Sequence, residues 1–212
     1  MIRQTPTSFA DIKSISELKV ALDAWRLNPT DIIETSLDRG LEFRAHPLGF
    51  ISCVIFAEGD KKARLHIWPV SENISQGEDV TIHDHVFNFT SWVLTGEIIN
   101  RCVLIDEDGV PCSVYETSYS RESSVLLKKN ETLNILDGEI HRYSAGKRYS
   151  LRAGQLHETR SIGNSVAVTV LITHDVSTKS PLVIGSLSGM EKHEYHRKLI
   201  SRHELDKIIK NI

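Results

Sequence analysis

From Gly49 to Thr173 the sequence is a succession of short apolar or alternating runs broken by glycines and Asp-Gly pairs, and this punctuation limits the fold more than any other feature. GFISCVIFAE, ARLHIWPV, EIINRCVLI, CSVYETSY, TLNIL, EIHRY, KRYSL and SVAVTVLIT all have the length and the β-branched or aromatic content of strands. Between them lie Gly59-Asp60, Asp106 to Gly109 and Asp137-Gly138. Pairs of this kind predict tight hairpin turns. No segment of helical period alternates with the strands, which argues against a βαβ fold and for an all-β barrel or sandwich.

The two ends read differently. Ser14 to Leu27 carries apolar residues at Ile15, Leu18, Leu22 and Trp25, a helical stripe that Ser14 or Ser16 would cap and Asn28-Pro29 would stop. A second short helix is predicted from Asp31 to Leu37. At the other end, Ser188 to Ile212 is charged and helical in pattern. Ser201 to Glu204 has the form of a capping box before Leu205, Ile208 and Ile209. The expected organisation is a single domain over residues 1–212. Residues 1–45 would be a helical cover, 46–180 the barrel, and 188–212 a helical tail packed on the barrel or on a partner in a homodimer.

The 212 residues suit one domain, and a net charge of −3 without a basic run disfavours nucleic acid as a partner. No apolar stretch reaches membrane-spanning length, and MIRQTPTSFADIK lacks the apolar core of a signal peptide. Cys53, Cys102 and Cys112 are odd in number and show no CxxC spacing, which predicts reduced thiols and a cytoplasmic protein.

The chemistry concentrates in Gly77 to Gly96, GEDVTIHDHVFNFTSWVLTG. His83 and His85 are one residue apart in a β-rich run, and residues i and i+2 of a strand share a face. Both imidazoles are therefore expected on one face, with Phe87, Phe89, Ser91 and Val93 continuing it and Asp84 pointing away. A second stretch, Gly146 to Ser161, places His157 just after the turn glycine Gly154. In ARLHIWPV, Arg64, His66 and Trp68 share one face, which looks either into the barrel or out to solvent. Tyr143, His141 and His174 are further donors with either a pocket or a solvent position open to them. His193, His196 and His203 are expected to be solvated.

At these two stretches the chain resembles the cupin superfamily. Gly77, His83, His85 and Gly96 fall on the first cupin motif, with Phe89 or Thr90 at its usual glutamate. Gly146, Gly154 and His157 fall on the second, with Arg152 and Ser161 at its proline and asparagine. The resemblance implies a cupin-type β-barrel (jelly roll) with His83, His85 and His157 on one divalent metal. A three-histidine cupin without the glutamate is similar to the thiol dioxygenases, in the runs Ile82 to His85 and Leu156-His157. That likeness implies Fe(II), with Ni, Zn, Mn or Cu as alternatives, and a small thiol or other anionic molecule plus dioxygen as reactants. The positions of that family's thioether crosslink fall on Thr90 and His174. Arg64 is the nearest replacement for its substrate arginine, with His66, His174 and Tyr143 as assisting groups. Two other classes stay open: a metal cupin that isomerises, lyses or decarboxylates without dioxygen, and a cupin that only binds a small ligand or serves assembly.

Overall fold

A strand buried on both faces must satisfy two different neighbours, and β3 does so in this chain. In the computed structural model, which describes residues 7–70, 80–120 and 122–212, the strands follow in chain order. They are β1 (Arg44–Ala45), β2 (Ile51–Glu58), β3 (Lys61–Trp68), β4 (Ile82–His83), β5 (Phe87–Thr95) and β6 (Glu97–Tyr119), then β7 (Ser123–Ser144), β8 (Lys147–Leu151), β9 (His157–Ser161), β10 (Ala167–Asp175), β11 (Leu182–Gly185) and β12 (Lys192–His196). They form two six-stranded sheets. One has the order β1-β2-β3-β10-β5-β8 and the other β11-β4-β9-β6-β7-β12, with β11 also pairing to β6. All pairings among the described residues are antiparallel.

Three short helices accompany them: α1 (Ile15–Asp23), α2 (Pro29–Asp38) and α3 (Arg202–Ile209). Each start is capped by a side chain that accepts an orphan N–H. Ser14 accepts from Glu17 N, Asn28 from Thr30 N with Pro29 at the first helical turn, and Ser201 and Glu204 complete a capping box. The helices bury Ile15, Leu18, Leu22, Ile32, Ile33 and Leu205 against one face of the first sheet, where Ile51, Cys53, Leu65, Ile67, Trp92 and Val170 complete the principal core. Period-two alternation then sends Arg64 and His66 of β3, Phe89 of β5 and Thr173 of β10 to the opposite face. That face lines a cavity against the second sheet.

Four sequence expectations change. First, α1 ends at Asp23, and Trp25 lies beyond it with φ of +53° and 41% of its surface exposed. Second, neither Asp-Gly segment reverses the chain. Ile105 and Val110 both pair with Ile135, and Val103 with Asp137 is followed by Arg101 with Ile140, so residues 106–109 and 138–139 are bulges inside two long strands. The reversal falls instead between β6 and β7, after Tyr119 and before Ser123. Third, the tail is not only helical: β11 and β12 extend the sheets past the expected barrel limit, and His193 on β12 is buried. Fourth, His83 and His85 do not share one strand. β4 ends at His83 in the second sheet, and β5 begins at Phe87 in the first. The first motif glycine, Gly77, lies outside the described residues.

Candidate metal centre

The corner between β4 and β5 is held by backbone contacts on both sides of His85. Asp84 N donates to Leu182 O at 3.0 Å while the Asp84 carboxylate accepts from Leu182 N at 2.6 Å. The acid is thus turned into β11, away from the histidines. Gly154 N donates to His85 O at 2.9 Å, and Gly154 has φ of +79°, a conformation that glycine adopts without strain. The turn of the second motif is thereby docked on the first. β4 also pairs with β9 in a register that sets His83 opposite His157.

The result is a convergent trio. One ligating nitrogen from each of His83, His85 and His157 lies within 4.8 Å of the others, and His85 Nε2 is 3.1 Å from His157 Nε2. Hydrogen bonds to the far side of two rings decide which nitrogen is bare. His83 Nδ1 lies 2.9 Å from Thr81 O, a pure acceptor, so it carries the proton. His157 Nδ1 lies 3.0 Å from Asn100 Oδ1 and is fixed in the same tautomer. Both Nε2 atoms therefore present unshared pairs to one point.

His85 Nε2, 3.1 Å from the bare Nε2 of His157, either donates its own proton to that atom or shares a cation with it. With metal–nitrogen bonds of about 2.0–2.1 Å, the spacing fits two adjacent coordination positions at roughly 95°. Burial pushes all three imidazoles below their ordinary value, His85 and His157 well below it, so each is the neutral ligand form. The donor set thus fits a divalent ion. Nearby carboxylates are engaged elsewhere: Glu97 with Arg142, Glu139 with His141, and Glu158 with Arg101 at 3.0 Å.

The trio opens on a cavity of about 830 Å³ between the two sheets. Phe87 stacks on His85 at 4.5 Å and Phe89 meets it edge-on at 5.5 Å, giving the ring a dry wall. Arg64 enters from β3. Its Nη1 donates to Thr173 Oγ1 at 2.7 Å and its guanidinium sits 5.0 Å from the centre of the Phe87 ring. Burial lowers its pKa, opposed by the charge of Asp175. His66 lines the same wall, pushed down to about 3 by burial and by the neighbouring Arg64 charge.

Of the residues singled out in the sequence, the structure brings together His83, His85, His157, Arg64 and His66 around one cavity. It separates two others. His174 is the outward neighbour of Thr173 and pairs at 2.7 Å with Asp60 on the exposed surface, facing a different cleft of about 650 Å³. Tyr143 stacks on Tyr149 at 4.5 Å, and of these two it is Tyr149 that lines the cavity. Burial pushes the Tyr149 hydroxyl up to about 12, leaving it a neutral donor.

Sequence reasoning missed Tyr149, His46, Asn100, Thr159 and Arg197. The alternation of KRYSL, with Leu151 buried, points Tyr149 inward, and Thr159 shares a face with His157. His46 carries no sequence signal. It reaches the cavity because a tight turn at 46–49 lays its ring on Phe50 at 4.2 Å, whose other side meets His66 at 4.3 Å.

No protein-family model and no curated protein matches the chain. Among solved structures, a cupin superfamily protein from Desulfitobacterium hafniense overlaps with a TM-score of 0.33 and 11% identity, covering 60% of this chain and 78% of that one. A variant of Streptomyces PAC13 solved with uridine overlaps with a TM-score of 0.31 and 10% identity, covering 77% and 89%. Among the described residues, no helix is long and apolar enough to cross a membrane.

Proposed function

We propose that this chain is a mononuclear metal enzyme of the cupin type, an Fe(II)-dependent dioxygenase acting on a small thiol or other anionic small molecule. The observation that carries the proposal is the convergence of three neutral imidazoles, two with their bare Nε2 fixed by hydrogen bonds, at the wall of a cavity that also receives a half-buried arginine. Ferrous iron held by His83, His85 and His157 would keep its full charge and leave open positions for dioxygen and a substrate donor atom.

The chain's own groups then have separable tasks. Arg64 receives the substrate's anionic group, since a guanidinium in a dry pocket binds a carboxylate strongly. His66 borders that position and stays uncharged, so it accepts or donates a hydrogen bond without competing for the anion. Phe87 and Phe89 keep water from the reacting face. Tyr149 of β8, in the same sheet and with its ring 5.9 Å from that of Phe89, offers a neutral hydroxyl proton. Asn100 and Thr159, on the far side of the His157 ring, hold that ligand in place.

The test is anaerobic loading with Fe(II), metal analysis, and dioxygen uptake measured with a panel of small thiols. Iron binding with thiol-dependent uptake supports the reading. Stable binding of another metal with no uptake replaces the dioxygenase by a dioxygen-independent cupin reaction. Failure to bind any divalent metal removes the enzymatic reading altogether.

A further inference from the structure

Among the described residues, the cavity contains two arginines that no carboxylate approaches within ion-pair distance. Five basic side chains line it: Arg44, Lys62, Arg64, Lys179 and Arg197. Arg44 pairs with Glu42 at 2.9 Å and also donates Nη1 to Arg197 O at 3.0 Å. Lys62 pairs with Asp175 at 3.3 Å. Lys179 is exposed and needs no partner. Arg64 and Arg197 are different. Among the described residues, no carboxylate comes within ion-pair distance of either.

Arg197 follows β12, and its backbone is pinned on both sides: its N–H donates to Glu122 O at 2.7 Å and its carbonyl accepts from Arg44. The side chain lies over the Tyr119 ring at 5.6 Å, and its Nε is buried without a hydrogen-bond partner. A guanidinium taken out of water with an unused N–H is unfavourable unless a ligand completes it.

Arg64 and Arg197 belong to one electrostatic system. Both charges act on His46 and on His66, the two rings that flank Phe50. Arg64 stands over Phe87, next to the His85 ring, whereas Arg197 stands with the exposed Tyr119 at the rim. We infer that the substrate carries two separated acidic groups, one held by Arg64 beside the metal centre and the second held by Arg197 at the rim. This rests on the reading of Arg64 as an anion anchor. It adds that a compound with one acid, such as a simple amino acid or thiol monoacid, leaves half of the site unsatisfied.

The experiment uses calorimetric titration of the metal-loaded protein with α,ω-dicarboxylates from malonate to adipate and with monocarboxylates of the same lengths. Wild type, Arg64→Gln, Arg197→Gln and Arg197→Lys are compared, with metal content measured on each sample. The expected result is one diacid length that binds about tenfold tighter than its monoacid, as one added charge-assisted pair would give. Arg197→Gln should erase that advantage while keeping monoacid affinity, and Arg197→Lys should restore part of it. Equal affinity for diacids and monoacids in wild type, or a diacid advantage that survives Arg197→Gln, overturns the inference. Loss of monoacid affinity in Arg64→Gln separately checks the anchor, and the metal content separately checks the histidine centre, so the three readings fail independently.

Discussion

Arg64 is where a single side chain discriminates most between readings of the cavity. Replacing it with alanine should raise KM, or the Kd of an anionic probe, by one to two decades, from loss of roughly 1.5–3 kcal/mol of charge-assisted hydrogen bonding. Metal content should not change, because Arg64 touches Phe87 and Thr173 and none of the histidines. Equal KM in the variant would move the anchor elsewhere. Asn100→Ala makes the complementary test: it removes the acceptor of His157 Nδ1 and should weaken metal binding by about 10–100-fold while leaving the anion site intact. His66 adds a pH effect. In the fold burial holds it to about 3, whereas an unfolded chain titrates it near 6.5. Above about 6.5 both states are neutral and His66 contributes nothing to the pH dependence. As pH falls from there toward 3, the unfolded chain takes the proton first, so stability drops by at most about 1.4 kcal/mol for each unit. Urea midpoints at pH 7, 5 and 4 should show this decline, and His66→Gln should flatten part of it, the remainder belonging to the other buried histidines and to carboxylates held low in the fold, such as Asp23 beside Lys19.

At the scale of elements, the strands were legible and their connections were not. The alternation of ARLHIWPV placed Arg64 and His66 on one face, and the helix stripe with its Ser201 to Glu204 cap was read correctly, because these signals are local. Asp106 to Gly109 failed because a tight turn and a bulge draw on the same permissive residues, and only the partner strand decides between them. Here β7 runs straight past the segment, so the extra residues loop out of β6. Likewise the break between β4 and β5 has no sequence marker, since it is made by Leu182, about a hundred residues away. His83 and His85 still converge because the corner turns both rings to His157, not because they share a strand. Gly109 tests the bulge. A Cβ at that position would fall on the Ile135 backbone. Gly109→Ala should therefore cost about 1–3 kcal/mol, measured by chemical unfolding. An unchanged midpoint would reject the continuous β6–β7 pairing.

For the whole molecule, the two faces of the first sheet carry different physics. One buries the helix-covered apolar core and supplies most of the stability. The other, with the second sheet, encloses a cavity rich in neutral histidines and holding two arginines that no described carboxylate reaches at ion-pair distance, an arrangement that entering ligands would stabilise. The metal centre bridges these regions: His83 and His157 belong to the second sheet, and His85 lies in the crossover that leads into the first. An ion on all three therefore closes a cross-link between sheets, and the unfolded chain, with its ligands far apart, does not hold it. At a free metal concentration of 100 times Kd the native state gains about 2.7 kcal/mol. For a chain of this size that corresponds to a rise in Tm of about 5–10 °C. Thermal unfolding with excess divalent metal and after chelation should differ by this amount, and His157→Gln should remove the difference while folding to the same secondary structure by circular dichroism. Equal melting with and without metal in the parent chain would leave the imidazoles as packed polar side chains, and the cavity would then owe its form to the arginines and their anion alone.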